Sequence, residues 1–159
     1  MKCVSGRRPP EFELRQDNNE CLVLLTENVQ EKIVPGDEGE PETEYSFDRY
    51  TITVPYRDNL EQDVASAPEK WLLIAKEKEI EELSAEIRKK RNELLAESDN
   101  AFCIDRICHD ISDISTTTFT EKLRELSESP ITKYRQALRD IPEQEGFPYN
   151  VIWPTKPQQ

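Results

Sequence analysis

Histidine and glycine are almost missing from this chain, with one histidine and four glycines in 159 residues. The sequence has no G-x-S-x-G, P-loop, G-x-G-x-x-G or H-E-x-x-H, so the common nucleophile, phosphate-cradling and metalloprotease motifs are excluded. The lone His109 has Asp105 four residues before it and Asp113 four after. On a helix that spacing describes ordinary i,i+4 neighbours more often than an oriented imidazole, and no enzymatic activity and no cofactor are expected. Long apolar runs are also lacking, so no membrane span is expected. The opening MKCVSGRRPPEFEL has basic residues without the apolar stretch of a signal peptide. The expected location is the cytoplasm of the cell that makes it.

Positive charge is in deficit as well. Thirty-three acidic residues against 21 basic ones give a net charge of −12, which repels nucleic-acid phosphates and anionic lipid. Neither a nucleic-acid nor a membrane partner is expected. Cysteine is sparse and scattered: Cys3, Cys21, Cys103 and Cys108 lack the dense spacing of a disulfide framework. Cys103, Cys108 and His109 form a C-x4-C-H string without the paired knuckles of a zinc site, so reduced thiols and no metal are expected. At 35% the hydrophobic content is low, which favours several small cores over one large one.

What is present divides the chain into an α+β arrangement of three segments. In residues 1–65, ECLVLLTENVQEKIV (20–34) and YSFDRYTITVPY (45–56) read as strands, the second with Tyr50, Ile52, Val54 and Tyr56 on one face. Between them PGDEGEPETE reads as a long acidic loop, broken by Pro35, Gly36, Gly39 and Pro41. A hairpin alone is marginal, so a third strand near Phe12 and Leu14, a helix or a second copy must cover it.

Residues 66–98 read as a long charged connecting helix, opened by a Ser66/Glu69 capping box with Pro68 in the first turn. It runs to about Glu97, about 30 residues or roughly 45 Å. Leu73, Ile80, Ile87 and Leu94 recur every seven residues; Leu83 adds one complementary position, while Lys76, Lys90 and Glu97 fill the others with charge. A half-apolar seam fits a weak coiled coil, and so a homo-oligomer, or a helix laid on a partner. A solvated connector fits equally well. Trp71 is expected to anchor the helix on the hairpin.

Residues 99–159 read as a small helical unit with an extended proline- and aromatic-rich tail. Phe102, Cys103, Ile107 and Ile111 fit one face of a short helix; Thr118 with Glu121 caps the next, carrying Phe119, Leu123 and Leu126. Ser129 and Pro130 open another, where Ile131, Tyr134, Leu138 and Ile141 step along one face and Arg135 and Arg139 along the other. That basic stripe is either a solvated face near a helix C-terminus or a docking point for an acidic partner. In the tail, Phe147, Tyr149, Val151 and Trp153 alternate opposite Pro148, Asn150, Ile152 and Pro154. Its prolines confine it to an edge strand or an extended strap. The strap either docks on a partner or folds back on Tyr134, Leu138 and Ile141.

Two stretches carry a resemblance. IRKKRNELLAESD (87–99), followed by KYRQALRDIPEQEGFPYNVIWP (133–154), resembles the C-terminal region of small bacteriophage and prophage tail proteins, a family of tail assembly chaperones or tail fibre assembly proteins. VSGRRP, LLTENVQEK, YTITVPYRDNLE and EKWLLIAKEKE are similar to N-terminal pieces of phage tail proteins. Asn100 stands where members of the family commonly carry a tryptophan. The resemblance implies a non-enzymatic role in tail morphogenesis, with a phage tail or tail fibre protein as partner. Either the chain is a chaperone in the host cytoplasm, or it is a minor component that stays in the virion tail. On this reading Tyr134, Arg135, Leu138, Arg139, Phe147, Tyr149, Val151 and Trp153 contact the partner, and Leu73, Ile80, Leu83, Ile87 and Leu94 oligomerise.

Overall fold

A computed structural model describes residues 2–35, 40–99 and 116–157. The fold is α+β, and the chain divides into two compact units, Met1–Glu81 and Glu82–Gln159. The division falls inside the long helix.

Unit 1 is built on a four-stranded antiparallel sheet of β1 (Lys2–Ser5), β2 (Phe12–Asp17), β3 (Glu20–Pro35) and β4 (Pro41–Pro55), in the order β1-β4-β3-β2. Alternation along the central strands decides its faces. Cys21, Val23 and Leu25 on β3 and Ile52 on β4 are buried on one side, with Phe12, Leu14, Tyr50 and Val54 packed around them. That side is covered by Leu60 and Val64 of α1 (Leu60–Ser66) and by Trp71, Leu72 and Ala75 of α2 (Pro68–Asp99). Trp71 therefore meets the sheet as expected. Tyr56, expected to continue the inward row, lies past the end of β4 and is exposed.

Two local expectations are corrected, and two elements were not anticipated. The acidic loop is shorter than its composition suggests: β4 starts at Pro41, and residues 41–44 pair back to residues 32–35. Lys32 opposite Glu44 and Ile33 opposite Thr43 are favourable cross-strand neighbours. The capping box at Ser66 does not form. The Ser66 hydroxyl donates to the Asp63 carbonyl at 2.9 Å and closes α1, a helix absent from the sequence reading. Ala67, at φ −151 and ψ 60, breaks the chain before Pro68, because the proline ring drives its predecessor out of the helical region. β1 was also not anticipated; four residues carry no usable period, and its register against residues 45–48 of β4 defines it.

A bulge interrupts the β3–β4 ladder between Glu27 and Gln30. Asn28 there has φ 54, and its side-chain amide donates to Asp48 at 2.9 Å. Asparagine tolerates this left-handed conformation through such local polar contacts. Nearby, Lys76 of α2 lies 2.6 Å from Glu27 and 5.1 Å from the Tyr50 ring. The hydrogen bond to Glu27 holds the Lys76 ammonium above the ordinary lysine value of 10.5, while burial pushes the Tyr50 phenol above 10.0.

Unit 2 contains the C-terminal part of α2, then α3 (Thr116–Glu128), α4 (Pro130–Arg139) and a 3-10 turn at Ile141–Glu143. α3 begins at Thr116, so Thr118 falls inside the helix instead of at its cap. Ser129 caps α4 as expected, accepting from the Thr132 amide, with Pro130 in the first turn. The predicted helix of Phe102, Cys103, Ile107 and Ile111, the candidate zinc group Cys103, Cys108 and His109, and His109 with its two aspartates lie outside the described residues. Among the described residues no cluster of metal-ligating side chains converges, Cys3 and Cys21 are in no disulfide, and no helix is long and apolar enough to cross a membrane.

Candidate functional site: a clamped aromatic strap

The core of unit 2 is small. Tyr134, Leu138 and Ile141 are buried, and Ile87, Leu94 and Leu95 of α2, Ile131 of α4 and Phe147, Val151 and Trp153 of the tail pack around them. Three of the four aromatic-row residues of the tail thus turn inward onto the helix that precedes them. Tyr149 breaks the alternation and is 59% exposed, and Ile152, between two inward residues, is 76% exposed. The described residues of the tail form no strand, in keeping with its prolines. It is an extended strap lying on its own unit.

Polar side chains fix the strap. Gln144 acts as a false strand: its side-chain amide donates to the Ile152 carbonyl, and its side-chain oxygen accepts from the Ile152 amide, each at 2.8 Å. Both backbone groups of Ile152 are satisfied this way, which holds its side chain outward. The turn before it is closed by Phe147 N–H to the Gln144 carbonyl at 3.1 Å and Asn150 N–H to the Gly146 carbonyl at 2.9 Å. Gly146 sits at φ 86, a conformation that favours glycine. From α2, the Arg88 guanidinium lies 5.9 Å from the Phe147 ring centre and the Lys90 ammonium 4.5 Å from that of Trp153. These are cation–π distances.

Arg135 is engaged inside the unit and is no free docking cation. Its guanidinium donates to the Leu95 carbonyl at 3.1 Å and to the Ser98 hydroxyl, and lies 2.7 Å from the Asp99 carboxylate. The side chain is 13% exposed. The last turn of α2 has no basic residue of its own, so Arg135 supplies from α4 the positive charge that a helix C-terminus favours. Arg139 is exposed at the end of α4.

The heptad residues of α2 do not share one environment. Leu73 and Ile80 are 61% and 41% exposed, Leu83 is half-buried, and Ile87 and Leu94 pack into the core of unit 2. The seven-residue spacing thus serves two purposes along one helix. Gln144 and Ile152 were missed as site residues, and Arg88 and Lys90 were read only as a wet face. Ile152 alone left a signal, as a β-branched residue opposite the aromatic row.

Residues 84–158 match the family model described as phage tail assembly chaperone protein. That match supports a phage tail assembly chaperone family for this part of the chain. The match covers unit 2 nearly end to end, so the family signature and the clamped strap occupy the same part of the molecule. The same match supports a role in tail assembly. No curated protein and no solved structure matches the chain.

Proposed function

We propose that the protein is a non-enzymatic chaperone that covers an apolar surface of a phage tail or tail fibre protein in the host cytoplasm until that surface is built into the tail. The observation that carries this reading is the coincidence of the family match with a unit that holds Tyr149 and Ile152 exposed on a fixed strap. Tyr149, Ile152 and Arg139 make the contact; Tyr134, Arg135, Leu138, Phe147, Val151 and Trp153 hold the contact surface in shape from beneath. Fully burying each large apolar side chain contributes about 1.5 to 3 kcal/mol, enough for a reversible grip when two or three act together. The test is co-expression with the phage's tail and tail fibre proteins, followed by mass spectrometry of purified particles. A chaperone keeps one of them soluble and is absent from the particle.

One observation favours a second reading. Leu73 and Ile80 are exposed at heptad spacing in unit 1, as a minor tail component that oligomerises through its long helix would require. Such a component is stoichiometric in the particle, and Leu73→Lys with Ile80→Lys abolishes its self-association in sedimentation. Ile87 and Leu94 are unsuitable for that test because they belong to a core.

A further inference from the structure

We propose that the β3–β4 hairpin beyond the bulge is a strand-addition site for an extended, lysine- or arginine-bearing segment of a partner protein, docked on the open edge of β3 at residues 30–34. This site lies in unit 1 and stands independently of the tail-assembly reading.

β2 pairs with residues 20–25 of β3, and β1 pairs with residues 45–48 of β4. Past those limits residues 32–35 and 41–44 pair only with each other among the described strands, and Gln30 and Glu31 pair with Ser46 and Tyr45 but with nothing on the β2 side. A two-stranded ribbon in water is marginal, yet this one orders eight residues in four pairs while burying almost nothing. Gln30, Glu31, Lys32 and Ile33 are all exposed, Ile33 at 71%. The ribbon is well defined at both ends: the bulge at Asn28 sets its root, and Pro35 faces Pro41 at its far end. Prolines there lack the N–H that a growing ladder needs, so a new strand is directed to the side of the ribbon and not to its end.

Charge selects the occupant. Glu31, Glu42 and Glu44 stand on the ribbon against Lys32 alone, and the sequence between the strands adds Asp37, Glu38 and Glu40. Like charge keeps two copies of such an edge apart. A strand of opposite sign is attracted, and its backbone supplies the hydrogen bonds that the edge lacks. Alternation places Glu31 and Ile33 on one face, across from Tyr45 and Thr43 respectively. The matching segment therefore sets an apolar side chain beside Ile33 and a basic one beside Glu31.

The test is amide hydrogen exchange of the full chain with a blocked peptide of about six residues, Thr-Lys-Thr-Val-Thr-Lys, which sets lysine and valine two positions apart on one face, and with the counterpart that has aspartate in place of both lysines. The lysine peptide should slow exchange within residues 30–34 by about tenfold, less at high salt. The aspartate peptide should do nothing. Glu31→Lys with Glu42→Lys and Glu44→Lys should abolish the slowing, and Ile33→Thr, a change at an exposed side chain, should weaken it with the sheet intact. No slowing by the lysine peptide, equal slowing by both peptides, or slowing confined to other strands would overturn the proposal. So would a dimer in sedimentation that Ile33→Thr disrupts, since the edge would then belong to a second copy.

Discussion

The two units build their cores by different means. In unit 1 the alternation of Cys21, Val23 and Leu25 against Ile52 sends an apolar row to one side of a sheet, and two helices cover it. In unit 2 only Tyr134, Leu138 and Ile141 are buried outright, and the strap over them is held by Gln144, Arg88 and Lys90, with Arg135 tying α4 to the end of α2. Repeating pattern makes the first core, and single polar side chains complete the second. A pattern spreads its stability over many residues. A clamp concentrates it in one, so unit 2 should be the more sensitive of the two to polar substitutions.

Each unit carries one tryptophan, Trp71 in unit 1 and Trp153 in unit 2, so the comparison can be tested unit by unit. Leu138→Ala should destabilise unit 2 by about 2–5 kcal/mol, read from Trp153 emission in a Trp71→Phe background. Leu25→Ala should do the same to unit 1, read from Trp71 in a Trp153→Phe background. If either substitution lowers both signals together, the two cores melt as one and the comparison fails. Arg135→Met, which removes the charge from the end of α2, should cost about 2 kcal/mol and affect the Trp153 signal only. Gln144→Ala should cost about 1 kcal/mol and speed hydrogen exchange at the Ile152 amide.

The smallest effect expected is on pH dependence. Lys76 and Tyr50 both hold their protons more tightly in the folded unit 1 than their ordinary values of 10.5 and 10.0 imply. Their contribution is therefore complete below those values and is lost as pH rises through the raised ones. Unit 1 should weaken in alkaline denaturation above about pH 10, and Lys76→Met with Tyr50→Phe should flatten that loss. An alkaline midpoint unchanged by the pair would remove these groups from the account.

The contrast between the units also explains what the sequence revealed. β3, the inward side of β4 and the opening of α4 at Ser129 and Pro130 were legible because each depends on a local period or a cap. α1 was missed because seven residues hold too little period, and the break at Ala67 was missed because the Ser66/Glu69 spacing imitates a cap while Pro68 forbids one helix from running through. The extra length of β4 depends on cross-strand neighbours such as Lys32 and Glu44, 12 positions apart and invisible to a window. In the strap, periodicity placed Phe147, Val151 and Trp153 together but misplaced Tyr149, because the turn at Gly146 and the Gln144 clamp, not strand geometry, decide which side chains face out. Arg135 looked like half of a surface stripe, since its partners Leu95, Ser98 and Asp99 lie far back in the chain.

The central claim is that unit 2 presents a tail-binding surface on a strap whose inward residues are structural. It is tested most directly by complementing a phage that lacks this gene with Tyr149→Ser combined with Ile152→Ser, while the melting of unit 2 is followed through Trp153. The account predicts melting within the usual range for surface substitutions, about 0.5 kcal/mol, together with at least about a tenfold loss of infectious titre, as expected when two central contacts are removed. Full titre with unchanged melting would contradict it.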